Sequence, residues 1–183
     1  MASRRRHPAP ASGQEAPLPI VQVNGWSIFA HPVFIEQFET LIREVEKLRA
    51  ADPTGYREKK KTKLLGAVQK MAFEVIPQNP AHPMFLQGNT LGAAYRHWHR
   101  GKFFEGRYRL FFRFSSAAKV IVLAWVNDEA TLRTYGSRTD AYAVFKSMLG
   151  KSRPPDEWKT LLKEAKGAAA ESKKLLDQGG KSK

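Results

Sequence analysis

The stretch of this chain richest in reactive side chains is residues 95–113, where Arg96, Arg100, Lys102, Arg107, Arg109 and Arg113 stand against a single Glu105. Tyr95, Trp98, Phe103, Phe104 and Tyr108 are interleaved with them. Guanidinium groups grip phosphate oxygens through paired hydrogen bonds, and flat rings give unpaired bases a surface to stack on. The combination suits single-stranded RNA better than a duplex groove. A plainer reading is a sheet edge kept soluble by arginine. Like charges along one strand face repel each other, and a solvated surface usually avoids this by mixing signs, so an anion site is the better reading. His97 and His99 lie in the same stretch and offer either a proton carrier or a pair of metal ligands. Spacing places no third ligand, so metal binding is not expected. A histidine between Arg96 and Arg100 has its protonated form disfavoured, which helps it act as a base near neutral pH.

A second cluster, Asn127, Asp128, Glu129, Arg133, Tyr135 and Gly136, follows the apolar run at residues 120–126. Residues just past a buried strand can be aimed over a sheet that fixes their backbone. The same residues also read as a helix cap, with Asn127 or Asp128 accepting backbone N–H groups and Arg133 pairing with Glu129. Tyr142 stands three residues before Phe145, a core spacing, with a hydroxyl in reach of the sheet mouth. Lys59, Lys60, Lys61 and Lys63 read first as a solvated helical face and second as an RNA contact.

These side chains need elements to position them. A short first strand is predicted over residues 21–30, closed by His31-Pro32, a pairing that keeps His31 extended and lets Pro32 open a helix. Phe34, Phe38, Leu41, Ile42, Val45 and Leu48 then line one helical face, so the first helix runs from Pro32 to about Ala51. A turn at residues 52–55 leads to a second helix through Leu64, Leu65, Val68, Met71, Ala72 and Val75. Residues 77–91 are a loop anchored by Met84, Phe85 and Leu91. Residues 103–114 alternate with period two: Arg107, Arg109, Phe111 and Arg113 share one face, and Tyr108, Leu110, Phe112 and Phe114 share the core face. The run at 120–126 is apolar on both faces, as the middle strand of a covered sheet must be. Helices follow over residues 140–149 and from Asp156 onward. The fold class expected is α+β in two layers.

Composition bounds the partners. The chain has 183 residues, Lys+Arg 31 against Asp+Glu 17, and a net charge of +14, which calls for an acidic polymer, nucleic acid before membrane. With 42% hydrophobic residues it can fill a core, so it is not a disordered basic tail. The absence of cysteine excludes a disulfide framework, a thiol nucleophile and a thiolate zinc site. The longest apolar run is far short of the roughly 20 residues that span a bilayer, and the polar, proline-broken start lacks an apolar signal region. A cytoplasmic protein with no membrane partner is expected. Residues 1–18 read as a disordered basic extension, 19–150 as the domain, and 151–183 as a terminal helix with a charged tail.

Residues 106–113 (Gly-Arg-Tyr-Arg-Leu-Phe-Phe-Arg), the run at 120–126, residues 127–136 and Asp140-Ala-Tyr142 resemble the RelE-superfamily ribonuclease toxins, closest to the YhaV branch. Val23-Asn24-Gly25-Trp26 and Ala30-His31-Pro32 join that resemblance, which spans residues 21–160. It implies a RelE-like fold: a small antiparallel sheet packed against two N-terminal helices, with further C-terminal helices. It also implies the toxin of a type II toxin–antitoxin pair, a metal-free endoribonuclease without cofactor that cuts mRNA, often at the ribosome, and stops translation. The partner implied is a PrlF-class antitoxin with an AbrB-like fold, held in a hetero-oligomer. Carried over by position, Arg109 holds the scissile phosphate, Arg100 is a second functional cation, Arg133 is the transition-state arginine, and Tyr142 supports catalysis. Lys102, Arg107, Arg113, Trp98 and Tyr135 are expected on RNA, while His97 and His99 stay open as acid or base. A non-catalytic basic RNA- or ribosome-binding protein is the alternative.

Overall fold

Residues 21–30, expected as one strand, fold back on themselves. Asn24 and Gly25 both take the left-handed backbone conformation (φ 51° and 78°), as a two-residue hairpin turn demands. The products are the antiparallel strands Val21–Val23 (β1) and Trp26–Ala30 (β2). The computed structural model describes residues 20–169, so the expected N-terminal extension and the end of the charged tail lie outside the described residues.

Helix Pro32–Ala51 (α1) occupies the span its apolar spacing predicts and buries Phe34, Phe38, Leu41, Ile42 and Val45. His31 starts it: its Nδ1 accepts the Val33 N–H at 3.2 Å, and Pro32 supplies a preset first turn. Helix Lys60–Lys70 (α2) opens earlier than its apolar residues alone indicate and widens over Met71–Val75 into a π-type turn. In the loop that follows, Phe85 and Leu91 are buried as expected, but Met84 is 53% exposed and does not anchor it.

The alternating stretch at 103–114 is not one strand. Phe104, Glu105 and Gly106 all have positive φ (48°, 56° and 75°), so the chain turns there and splits into His99–Phe103 (β3) and Tyr108–Ser115 (β4). Strand Val120–Val126 (β5) is buried along its whole length, as its composition requires. The sheet runs β1-β2-β5-β4-β3, with β2 and β5 parallel and every other pair antiparallel.

Alternate residues of the sheet feed two cores. Ile28, Leu110, Phe112, Ile121 and Leu123 pack with α1 and α2. Phe29, Phe111, Val122 and Trp125 pack on the other face with helices Ala141–Gly150 (α3) and Trp158–Gly167 (α4), through Phe145, Leu149, Leu161 and Ala165. The α+β arrangement is present, with helices on both sides of the sheet. The arginine-bearing face of β4 is therefore covered, because α3 lies over it.

Candidate active site

Arg100 on β3, Arg109 on β4, Arg133 in the segment after β5 and Tyr142 at the start of α3 come from four parts of the chain and meet on one tyrosine. Arg100 Nε donates to the Tyr142 hydroxyl at 2.9 Å. The Arg109 and Arg133 guanidinium carbons lie 5.2 and 5.0 Å from the centre of the Tyr142 ring. Phe111 meets that ring edge-on at 5.5 Å and fixes its tilt. All three cations are largely shielded from water, Arg100 and Arg109 being buried at 8% and 5% exposure.

Each side chain is held by a partner. The Met84 carbonyl accepts from Arg100 Nη1 at 2.7 Å, so the loop before β3 fixes that guanidinium. Arg109 Nη1 donates to the Gly106 carbonyl. A Cβ placed on Gly106 would lie 3.9 Å from both the Arg109 Nη2 and the Lys102 side chain, an ordinary contact, so the backbone at φ 75° rather than space calls for glycine at this corner. Lys102 pairs with Arg109 across the β3–β4 ladder and is exposed, at the rim of the cluster.

Asp140, and Asn127 from the cluster after β5, lock its backbone. Asp140 Oδ1 accepts the Tyr142 N–H at 3.0 Å, capping α3, while Oδ2 accepts the Thr134 N–H at 2.7 Å and an Arg133 N–H. Burial alone would raise this carboxyl; the Arg133 and backbone donors outweigh it and hold it below the ordinary range. Burial likewise opposes the charge on Arg133, but Asp140 overcomes this and keeps the guanidinium more firmly charged than a free arginine. Asn127 is buried; its Oδ1 accepts the Arg109 N–H, and its Nδ2 donates to the carbonyls of Arg107 (3.1 Å) and Thr131 (3.0 Å). The cap expected at Asp128 forms over Glu129–Thr131. Arg133, however, pairs with Asp140 rather than Glu129, whose partner is Lys60 at 3.1 Å. Asp140, a short polar residue directly before an apolar helical run, carried an N-cap signal in the sequence. Nothing in the sequence marked Asn127 as a bridge between strands.

The charge does not balance. Three guanidinium groups surround Tyr142 with one carboxylate, Asp140, bonded to one of them. Arg109 Nε is sealed from water and has no hydrogen-bond partner among the described residues. A buried donor left unpaired costs about 1–3 kcal/mol, and it is the surplus of cations over carboxylates around Tyr142 that favours an anion there. Tyr142 accepts from Arg100, which leaves its own hydroxyl hydrogen free to donate.

The other expected residues separate from this cluster. Tyr135 is 87% exposed and its ring lies 3.6 Å from the Arg133 guanidinium carbon, a platform beside the site. Arg107 is exposed at the turn before β4. Trp98 is fully buried and presents no ring face to a base; its Nε1 donates to Asp156 at 2.7 Å, where His97 Nε2 also bonds at 2.7 Å. Arg113 donates to the Asp156 carbonyl and lies between the rings of Trp98 and Trp158. Phe145 and Phe111, stacked at 4.2 Å, stand between this second cluster and Tyr142. His99 turns to the opposite face of the sheet, onto Phe112 and Phe114. Its pKa is lowered as the sequence suggested, but chiefly by burial rather than by flanking arginines. Neither histidine bonds to the arginine–tyrosine cluster. Among the described residues no three His, Asp or Glu side chains gather to hold a metal ion, and no helix is long and apolar enough to cross a membrane.

The chain matches, over residues 28–166, a family model described as a toxin with endonuclease activity, of a toxin–antitoxin system. It is 51% identical over 144 residues to the Ribonuclease toxin YhaV of Escherichia coli strain K12, covering 78% of this chain and 94% of that relative. The Toxin YhaV of Escherichia coli O157:H7 gives the same identity and coverage, as does that of strain O6:H1. No solved structure matches the chain at a significant level. Arg100, Arg109, Arg133, Asp140 and Tyr142 all fall inside the matched span, and the chain belongs to the YhaV family of toxins with endonuclease activity from toxin–antitoxin systems.

Proposed function

We propose that this toxin cuts mRNA in the cytoplasm by attack of a ribose 2′-hydroxyl on the adjacent phosphate, with Arg100, Arg109, Arg133 and Tyr142 as its active site. The observation that carries this reading is the convergence of three guanidinium groups on one tyrosine with a single carboxylate among them. The reaction requires cations around the extra negative charge of the five-coordinate phosphate and a proton for the leaving oxygen. Arg109 and Arg133 supply the charge beside the Tyr142 ring. Tyr142, whose oxygen is occupied by Arg100, donates its proton to the 5′-oxygen as the P–O5′ bond breaks. The 2′-oxygen bonds to phosphorus, its proton leaves to water, and the products are a 2′,3′-cyclic phosphate and a 5′-hydroxyl. Side chains thus supply the stabilising charge and the leaving-group proton, and water takes the proton of the 2′-hydroxyl, in the manner of a metal-independent ribonuclease.

The exposed cations at the rim, with the net charge of +14, favour a negatively charged antitoxin segment as the silencing partner, the role expected of a PrlF-class protein with an AbrB-like fold. Purified toxin incubated with defined mRNA in EDTA, with and without ribosomes, tests the reading. Cyclic phosphate or 3′-phosphate ends that disappear in Arg109→Ala are expected. Intact RNA in both settings, with tight and salt-sensitive binding, would replace the nuclease with a non-catalytic RNA-binding protein.

A further inference from the structure

Beyond the arginine cluster, on the α2 side of the β3–β4 turn, lies a pocket of ≈ 370 Å³ whose walls include Glu58, Lys60, Lys63, Phe104, Arg107 and Tyr108. Its lining is mostly apolar surface with a charged rim, the makeup of a site for a flat, partly polar molecule. Phe104 is 42% exposed, an unusual position for a phenylalanine, and it meets the Tyr108 ring edge-on at 5.8 Å. Its backbone is held at φ 48° in a turn where Glu105 and Gly106 also have positive φ, so the ring is presented by a fixed turn rather than left over from the core. The rim is cationic. Arg107 is exposed and has no ion-pair or hydrogen-bond partner for its guanidinium among the described residues. Lys60 and Lys63 pair with Glu129 and Glu58, but both pairs are open to solvent and such pairs contribute little, so a phosphate can compete for either ammonium.

The pocket is tied to the active site through one residue. The Arg107 carbonyl accepts from Asn127 Nδ2 at 3.1 Å and from the Arg133 N–H at 3.3 Å, while its side chain lines the pocket. Arg107 thus sits on the rim between the α3 side, where Arg109 and Tyr142 lie, and the α2 side, where the pocket opens. A single RNA strand crossing that rim has cations on both sides and an aromatic floor on the far one. We propose that this pocket is a nucleobase subsite: it takes the base of a nucleotide flanking the scissile phosphate, stacked on Phe104, with Arg107 on the intervening backbone phosphate. The inference rests on the nuclease reading above, and it makes Phe104 a determinant of where the RNA is cut.

Two measurements test it and keep its failure distinct from failure of the nuclease reading. In the first, cleavage positions are mapped on a randomised RNA pool for wild type, Phe104→Ala and Phe104→Tyr. Wild type should show a base preference at one position beside the cut. Phe104→Ala should flatten that preference while still cutting, and Phe104→Tyr should keep it. An unchanged preference in an active Phe104→Ala protein overturns the subsite. In the second, binding of a short 2′-deoxy oligonucleotide, which cannot undergo 2′-hydroxyl attack, is followed by fluorescence anisotropy as an abasic site is moved along it. One abasic position should weaken binding to wild type about tenfold and leave binding to Phe104→Ala unchanged, as expected for a lost stacking contact. Equal responses of the two proteins at every position overturn the subsite. A position-dependent response from a protein that cuts no RNA would retain the base pocket and reject the nuclease.

Discussion

Asp140 makes one carboxylate serve three donors, the Tyr142 and Thr134 backbone N–H groups and the Arg133 guanidinium, and so ties the proposed transition-state cation to the proposed acid. Asp140→Ala leaves Arg133 uncompensated in a poorly solvated position and uncaps α3, so a loss of about 3 kcal/mol in a denaturant titration is expected. The carboxyl titrates below its ordinary value of 3.8 in the folded chain, so its contribution is complete above that pH and is lost as the pH falls through the folded value. Arg109 should behave in the opposite way. It is a buried cation with an unmade bond, and Arg109→Met should leave the thermal midpoint unchanged or raised while cleavage falls by about 10²–10³. A midpoint that collapses with the activity would mean that Arg109 holds the fold rather than the substrate. Tyr142→Phe removes the proposed proton donor but keeps the ring beside its cations. Its cleavage should be restored on RNA with a 5′-thio leaving group, which departs without protonation, and no restoration would remove the acid role from Tyr142.

Among the elements, β3 is placed by what it lacks. A Cβ on Gly101 would lie 2.4 Å from Met71 Sδ, so the π-type turn after α2 packs directly on this strand between Arg100 and Lys102. Gly101→Ala should cost about 1–3 kcal/mol by overpacking and lower cleavage through displaced Arg100, read together by thermal unfolding and a single-turnover assay. On the other face, α4 is tied to the start of α1: His31 Nε2 bonds Glu164 at 2.7 Å while Nδ1 caps the helix. Burial holds His31 and His99 below the ordinary imidazole value of 6.5 despite the carboxylate beside His31. Both are therefore protonated less readily in the fold than in the unfolded chain. Their contribution is complete above about pH 6.5 and declines as the pH falls from there toward the folded values. A thermal midpoint that drops below pH 6.5 is expected, with a shallower drop in His99→Phe.

At the scale of the molecule, a net charge of +14 draws RNA to every face, and the fold decides which cations meet it. Arg107 is free at the rim, whereas Arg113 is enclosed by Trp98 and Trp158. Arg107→Ala should flatten the slope of log binding constant against log salt by about 0.7, the value for one single-strand phosphate contact. Arg113→Ala should leave that slope unchanged and lower stability instead. Residue types and spacing sufficed for the buried β5, the span of α1 and the α+β class, because hydrophobic periodicity is a local property written in residue type, whereas the grouping of Arg100, Arg109 and Arg133 with Tyr142 came from the family resemblance. Residue type also read Trp98 as a stacking surface and left His97 and His99 open as acid or base, since composition does not record which face of a sheet a later helix will cover. The hairpin at Asn24-Gly25 was legible in residue type, since Asn-Gly is the pair a two-residue turn favours, whereas the break at residues 104–106 depends on a positive φ at Phe104 and Glu105 that the alternation of side chains hides. That Asn127 joins β4 to the segment after β5, and that three guanidinium groups share one tyrosine, are contacts between residues remote in sequence. The pairing of β4 with β5 makes the first, and the packing of α3 on β4 makes the second, excluding water and leaving Arg109 with a donor that no described residue fills.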